Sequence, residues 1–143
     1  GGVSAWDRDR GGAFPLLSWE DIHRLGRDGV AFGSHGLTHR ALTALSVDQV
    51  TREVAESRAM LTRELGQAIT TIAYPHGECD RGIEHLVGGC GYLFGLSTRP
   101  ALSTQGDSLL ALPRIEITRQ DRLPDFVRKL SGTARAVAAE APS

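Results

Sequence analysis

Apolar and polar residues follow one another along this chain in the manner of short helices separated by short strands. Ser18 offers an N-cap, and the apolar residues after it recur at helical spacing, which predicts a helix from about Trp19 to Arg27. The apolar run over 30–33 then predicts a strand that ends just before Ser34. A helix followed closely by a strand is typical of an α/β fold.

The second predicted helix has the clearest boundaries. Ser46 and Gln49 form a capping-box pattern, and Gly66 is the expected stop. One face is apolar at 3.6-residue spacing and is expected to face the core, with Val47, Val50, Val54, Leu61 and Leu65. The charged residues are expected largely outside that face, namely Arg52, Glu53, Glu56 and Arg63.

Strand-like and helix-like segments continue to alternate after Gly66. Strands are expected at 69–74, 92–96 and 112–117, and a short helix from about 81 to 87, broken by Gly88 and Gly89. Asp121 is expected to cap a last helix. This order predicts a parallel sheet covered by helices, either open or closed into a barrel. We expect a domain over 1–132 and a flexible tail or linker over 133–143.

Composition narrows the classes of function. The chain has 143 residues, 41% hydrophobic and 23% charged, with a net charge of -1 and no basic stripe, which argues against nucleic acid as a partner. No apolar run approaches the roughly 18 residues that a membrane span requires. The two cysteines are too few for a disulfide framework, so both pairing and free thiols stay open.

Two histidines four residues apart are the most chemically distinctive feature of the chain. His35 and His39 follow directly after the first predicted strand. Imidazole is the commonest neutral metal ligand, and two of them on one turn can bind a single ion. The alternative is capping or hydrogen bonding in the core. The pair is not the zincin motif, because Gly36 stands where that motif has its general-base Glu.

A second polar turn, Tyr74-Pro75-His76-Gly77, follows the second predicted strand. It is either a turn that ends a strand or a functional loop whose His76 backbone N–H serves as an oxyanion donor. The carboxyl ends of parallel strands meet at one edge of a sheet, so this turn and the two histidines are expected on the same rim.

Taken together, these segments resemble the polysaccharide deacetylase family, carbohydrate esterase family four. The resemblance lies in His35-Gly36-Leu37-Thr38-His39, in the capped helix up to Gly66, and in Ala73-Tyr74-Pro75-His76-Gly77. It extends to the helix before the histidines and to the later strands, and it spans roughly residues 1–132. Such a span is far more specific than either motif alone.

The resemblance implies a distorted (β/α) barrel that hydrolyses N-acetyl groups of an N-acetylated glycan and releases acetate. It implies a divalent metal, zinc above all, with His35 and His39 as two ligands beside an Asp. The His76 backbone N–H would stabilise the oxyanion, and the turn residues Tyr74, Pro75 and Gly77 would contact substrate. The localisation that it favours is extracytoplasmic or associated with the cell envelope.

Several family features are not found in this sequence. The family's Thr-Phe-Asp-Asp run, source of the metal Asp and the catalytic base, belongs before Gly1, so we expect an incomplete barrel without its first strand or strands. The third ligand and the base would then lie outside this chain, which alone would be inactive. Ala73 replaces a common Arg, for which Arg114 is a candidate. The general acid is unassigned, with the His76 side chain as the candidate.

Two other functions remain open from the sequence. A non-catalytic glycan-binding module would also explain the absent Asp pair, and a purely metal-binding or structural domain is a weaker alternative. Chitin oligomers, peptidoglycan, exopolysaccharide and lipid-linked sugars are all candidate substrates. The ligand set suits zinc best but also accepts cobalt, nickel or iron. The sequence does not predict an oligomeric state.

Overall fold

The structure, a computed structural model, describes residues 15–131. Within this range the helices are α1 (Trp19–Arg27), α2 (Val47–Leu65), α3 (Arg81–Gly89) and α4 (Leu123–Leu130). The strands are β1 (Thr71–Ala73) and β2 (Phe94–Leu96), and single 3₁₀ turns occupy Leu42–Ala44 and Pro75–Gly77. The predicted tail over 133–143 lies outside the described residues.

Local sequence signals determine where the first two helices begin and end. The Ser18 hydroxyl accepts from the Asp21 backbone N–H at 3.1 Å, and Ser46 and Gln49 form the predicted capping box at the start of α2. Gly66 ends α2 in the left-handed conformation, with φ 65°. The predicted bounds and caps of these two helices are confirmed.

A small parallel sheet lies at the centre. β1 pairs with β2, with Thr71 opposite Phe94 and Ala73 opposite Leu96. Single parallel bridges add Ser34 beside Ile72 on one side and Leu112 beside Leu96 on the other. The predicted strands at 69–74 and 92–96 are confirmed in shorter form, and the fold is α/β.

The predicted strands at 30–33 and 112–117 are wrong in extent. Each outer segment contributes one bridge, near Ser34 and at Leu112, and no ladder. Val30 and Ile117 stay 45% and 46% exposed, so the residues in 15–131 do not pack these segments flat against the sheet. Pro113 also lacks the N–H that a ladder needs. The prediction that this sheet belongs to a barrel, incomplete because its first strand or strands are missing, stays a prediction.

The core lies between this sheet and helices α2 and α3. Its fully or almost fully buried apolar residues are Leu42, Val50, Val54, Ile69, Ile72, Tyr74, Ile83, Val87 and Tyr92. The inward face of α2 differs from the predicted one, because Val47 is 63% exposed whereas Glu53 and Ser57 are buried. Both polar side chains are hydrogen-bonded, as burial requires.

Two predicted helix boundaries are also wrong. Helix α3 continues through Gly88 and Gly89, since Val87 is fully buried and helical glycine costs only about 1 kcal/mol. The N-cap of α4 is Arg122, and Asp121 instead accepts from the Lys129 ammonium at 2.8 Å. Pro124 lies in the first turn of α4, where its missing N–H costs nothing.

The structure addresses two further expectations. Cys79 and Cys90 are free thiols. Among residues 15–131, no helix has the length and apolar character needed to cross a bilayer.

The two glycines at the ends of α2 and α3 should respond oppositely to alanine. Gly66→Ala places a β-carbon at φ 65° and should lower the free energy of unfolding by about 1 kcal/mol. Gly89→Ala is in the last helical turn, where a β-carbon meets no atom within 4 Å, and should raise it by about 0.5 kcal/mol. Urea unfolding followed by far-UV circular dichroism measures both. Changes of the same sign would contradict these helix ends.

Candidate functional site

His35 and His39 converge at the carboxyl end of β1. The loop that carries them begins at Ser34, which is bridged to β1 by hydrogen bonds to Thr71 and Ala73. His35 Nδ1 lies 2.8 Å from the Ala73 carbonyl oxygen. A carbonyl only accepts, so Nδ1 carries the proton and the Nε2 of a neutral ring has a lone pair. That Nε2 lies 3.0 Å from Nε2 of His39.

This arrangement fits a divalent metal. Two imidazole nitrogens about 2.05 Å from one tetrahedral ion are about 3.3 Å apart, close to the 3.0 Å observed between the two Nε2 atoms. Metal-binding histidines commonly donate their other N–H to a backbone carbonyl, as His35 does to Ala73. In residues 15–131, however, no group of three or more His, Cys, Asp or Glu is placed to hold a metal. The described residues therefore bring together two candidate ligands.

A buried carboxylate holds the centre of the histidine loop. The Glu53 side chain accepts from the backbone N–H of Leu37 at 2.9 Å, and from the N–H and hydroxyl of Thr38 at 2.8 and 2.5 Å. Burial alone would raise the pKa of Glu53. The hydrogen bonds from Thr38 and Leu37, together with the positive charge of Arg40, outweigh burial and leave the pKa below its ordinary value.

Hydroxyl groups fix the start of the same loop. Ser34 Oγ lies 2.8 Å from Ser57 Oγ on α2, and the Gly36 N–H donates to Ser34 Oγ at 3.3 Å. The Tyr92 hydroxyl donates to the Val54 carbonyl at 3.1 Å and lies 3.4 Å from Ser57 Oγ. These groups are buried, so the loop is attached to α2 by a hydrogen-bond network in the core.

The turn after β1 brings a third imidazole to the site. The His76 ring is exposed, and its centroid lies 4.9 Å from that of His39, edge to face. His76 has φ 60°, and Gly77 has φ 79° with no room for a β-carbon, which would lie 2.1 Å from the Thr98 hydroxyl. The expectation that the turn and both histidines share one rim is confirmed.

The other residues of this turn are buried. Tyr74 is 0% exposed, and its hydroxyl donates to the Leu110 carbonyl at 2.6 Å; burial raises its pKa above the usual range. Pro75 and Gly77 are buried too. Substrate contact through the side chains of Tyr74 and Pro75 does not fit this placement. Of this turn, the exposed residue is His76.

Arg114 is hydrogen-bonded to the residues that follow β2. Its Nε donates to the Ser97 carbonyl at 2.7 Å, and its backbone N–H donates to the Arg99 carbonyl at 3.0 Å. The next residue after Ser97, Thr98, contacts the His76 carbonyl at 3.5 Å. Arg114 therefore holds the segment over 97–99, which contacts the His76 carbonyl through Thr98, and its catalytic role stays a prediction.

Glu53 is the site residue that sequence reasoning missed. The helical spacing predicts Glu53 on the charged face of α2, but it is only 8% exposed and is hydrogen-bonded to the histidine loop. A signal was present in the sequence, since Glu53 is three residues after Val50 and adjacent to Val54, both on the apolar face. A carboxylate within an apolar stripe requires a set of donors, and a turn after a strand supplies them.

Known proteins match the chain over much of its length. The sequence profile of the family described as polysaccharide deacetylase matches residues 4–95. YxkH of Bacillus subtilis (strain 168), which carries the name of a polysaccharide deacetylase, is 26% identical over 102 residues, or 71% of this chain and 37% of YxkH.

Solved structures share the fold. The deacetylase PplD of Streptococcus pyogenes, in complex with acetate, has a TM-score of 0.77 at 24% identity, covering 86% of this chain and 54% of that one. BC0361, a polysaccharide deacetylase from Bacillus cereus, has a TM-score of 0.74 at 25% identity, covering 87% and 39%. The chain thus spans between 37% and 54% of the length of these relatives. Because the family profile matches more than half of its residues, the chain belongs to the polysaccharide deacetylase family.

Proposed function

We propose that this chain carries part of the active site of a metal-dependent glycan N-deacetylase. The observation that supports this most directly is the convergence of His35 and His39, whose Nε2 atoms lie 3.0 Å apart with one ring held by the Ala73 carbonyl. Membership of a family that deacetylates polysaccharides supplies the reaction class. The proposed substrate is an N-acetylated amino-sugar polymer or oligomer, and acetate is the proposed product.

Each residue of the rim has a proposed part. His35 and His39 hold a divalent ion, zinc in the first instance, and a bound ion supplies Lewis acidity toward an acyl oxygen and a water. The Ala73 carbonyl keeps the His35 ring in the tautomer whose Nε2 accepts a metal. The His76 N–H donates to the developing oxyanion, and its exposed ring protonates the departing amine.

The remaining groups are proposed to come from elsewhere. A carboxylate outside residues 15–131 completes the ligand set, and a second one acts as the base, since the described residues bring no acidic side chain into a metal-binding group with the histidines. On this proposal the 143-residue chain binds metal but does not by itself release acetate. An extracytoplasmic or envelope location is proposed from the class of substrate.

A glycan-binding module without catalysis is the second candidate. The observation in its favour is the same lack of a metal-binding group of three among the described residues. Such a module would keep the rim and bind an N-acetylated sugar without hydrolysing it.

Metal binding tests the histidine pair. Zinc titration of the chain, with a chromophoric chelator as competitor, should show one site. His35→Ala or His39→Ala should weaken zinc affinity by at least roughly 100-fold, because loss of a residue that merely orients a ligand already lowers metal affinity about 10–100-fold. His85→Ala, an exposed histidine on α3, is the matched control and should bind as wild type does. Equal affinity in all four proteins would rule out the proposed site.

Acetate release separates the enzyme from the binding module. A longer protein that adds an Asp-Asp motif to this chain should release acetate from N-acetylglucosamine oligomers, and His39→Ala should abolish the release because the ion loses a ligand. The chain of 143 residues should release none. A longer protein that binds the oligomers, holds zinc and still releases no acetate would support the binding module instead.

A further inference from the structure

The histidine loop contains two residues in a backbone conformation that is unfavourable for most side chains. Gly36 has φ 77° and His39 has φ 59°. Glycine adopts this conformation freely, whereas histidine does so at a cost in free energy that its surroundings must offset. Contacts that hold the backbone between these two positions would supply that offset and keep the His39 ring beside His35.

The Glu53 carboxylate supplies that restraint. Its Oε2 accepts from the N–H groups of Leu37 and Thr38, and its Oε1 accepts from the Thr38 hydroxyl. All three donors lie between the two left-handed positions. Hydrogen bonds to an ionised carboxylate are roughly twice as strong as neutral ones, and the low exposure of Glu53 limits competition from water on the acceptor side.

The element that carries Glu53 is rigid. Helix α2 has 19 residues with a capping box at its start and a glycine stop, and Ser57, one turn further along the same face, contacts Ser34 at 2.8 Å. The helix therefore contacts the loop at two points: Ser57 contacts Ser34, the first residue of the loop, and Glu53 contacts Leu37 and Thr38 in its middle. A change at Glu53 would release the middle while leaving the first residue and the His35 contact to Ala73 in place.

From this geometry we propose that Glu53 is a positioning residue, which fixes the backbone of residues 36–39 so that both imidazoles face one metal ion. The proposal rests on the proposed function, because it assigns Glu53 to the metal site formed by His35 and His39. Glu53 is proposed to act without being a ligand, and its effect on metal affinity would pass through Thr38 and Leu37.

Zinc affinity of the folded chain is the readout, measured by chelator competition. Glu53→Ala should weaken zinc binding about 10–100-fold, the range typical for partners that orient ligands. Glu53→Gln keeps one acceptor for the two N–H groups and offers its amide to the Thr38 hydroxyl, so its loss should be smaller than that of Glu53→Ala. Thr38→Val should weaken binding, and Thr38→Ser, which keeps the hydroxyl, should not.

Two control variants separate positioning from general loss of stability. Val87→Ala removes buried methyl groups from α3, an element without a hydrogen bond to residues 36–39 among those described, and should lower the unfolding midpoint without changing zinc affinity. Glu56→Ala removes an exposed carboxylate from the same helix, where it pairs with Arg52, and should leave both quantities near wild type.

The outcomes are distinct. Wild-type affinity in folded Glu53→Ala, or an equal loss in Val87→Ala, would overturn the positioning role. If Glu53→Ala does not fold, Thr38→Val decides, and an affinity equal to that of Thr38→Ser overturns the proposal. A failure of the proposed function would give another result, in which His35→Ala binds zinc with wild-type affinity. A zinc site that depends on His35 but not on Glu53 contradicts this inference alone.

Discussion

Three hydrogen bonds to one buried carboxylate hold the chemically distinctive part of this chain in place. Glu53 is only 8% exposed, has a pKa below its ordinary value, and accepts from the backbone and hydroxyl of the loop between His35 and His39. Burying a charge is costly unless its acceptors are filled, and here loop donors fill them. The fold of α2 against the sheet and the conformation of the loop are therefore mutually dependent.

The parallel sheet supplies the second constraint. β1 ends at Ala73, whose carbonyl holds the His35 ring, and the next turn places His76 beside His39. One strand end thus orients a proposed ligand and, three residues later, delivers a candidate oxyanion donor. Gly77 makes this possible because Thr98 packs where its β-carbon would be. The residues that pack this rim are therefore next to the residues proposed to act there.

Features that depend on local sequence could be predicted. The caps and stops of α1 and α2 follow from side chains within three residues of each helix end. The meeting of His35, His39 and His76 followed from a general rule, that parallel strands end at one edge. Both predictions needed no knowledge of which distant residues pack together.

Features set by tertiary contacts could not be predicted in the same way. Glu53 reads as a solvated charge until the loop donors are known, and Tyr74 reads as a rim residue until its hydroxyl is seen bonded to the Leu110 carbonyl. The segments at 30–33 and 112–117 have strand-like residues but lack neighbours to pair with in the described range. Burial and pairing are decided by partners far away in the sequence.

X-ray absorption spectroscopy of the zinc-loaded chain tests the central claim most directly, because it counts the imidazoles on the ion. The histidine pair predicts two imidazole nitrogens at about 2.0–2.1 Å from zinc in the wild type, and fewer in His39→Ala. A zinc spectrum without imidazole scattering, or one that His39→Ala leaves unchanged, would contradict the claim that His35 and His39 form the metal site of this deacetylase-family chain.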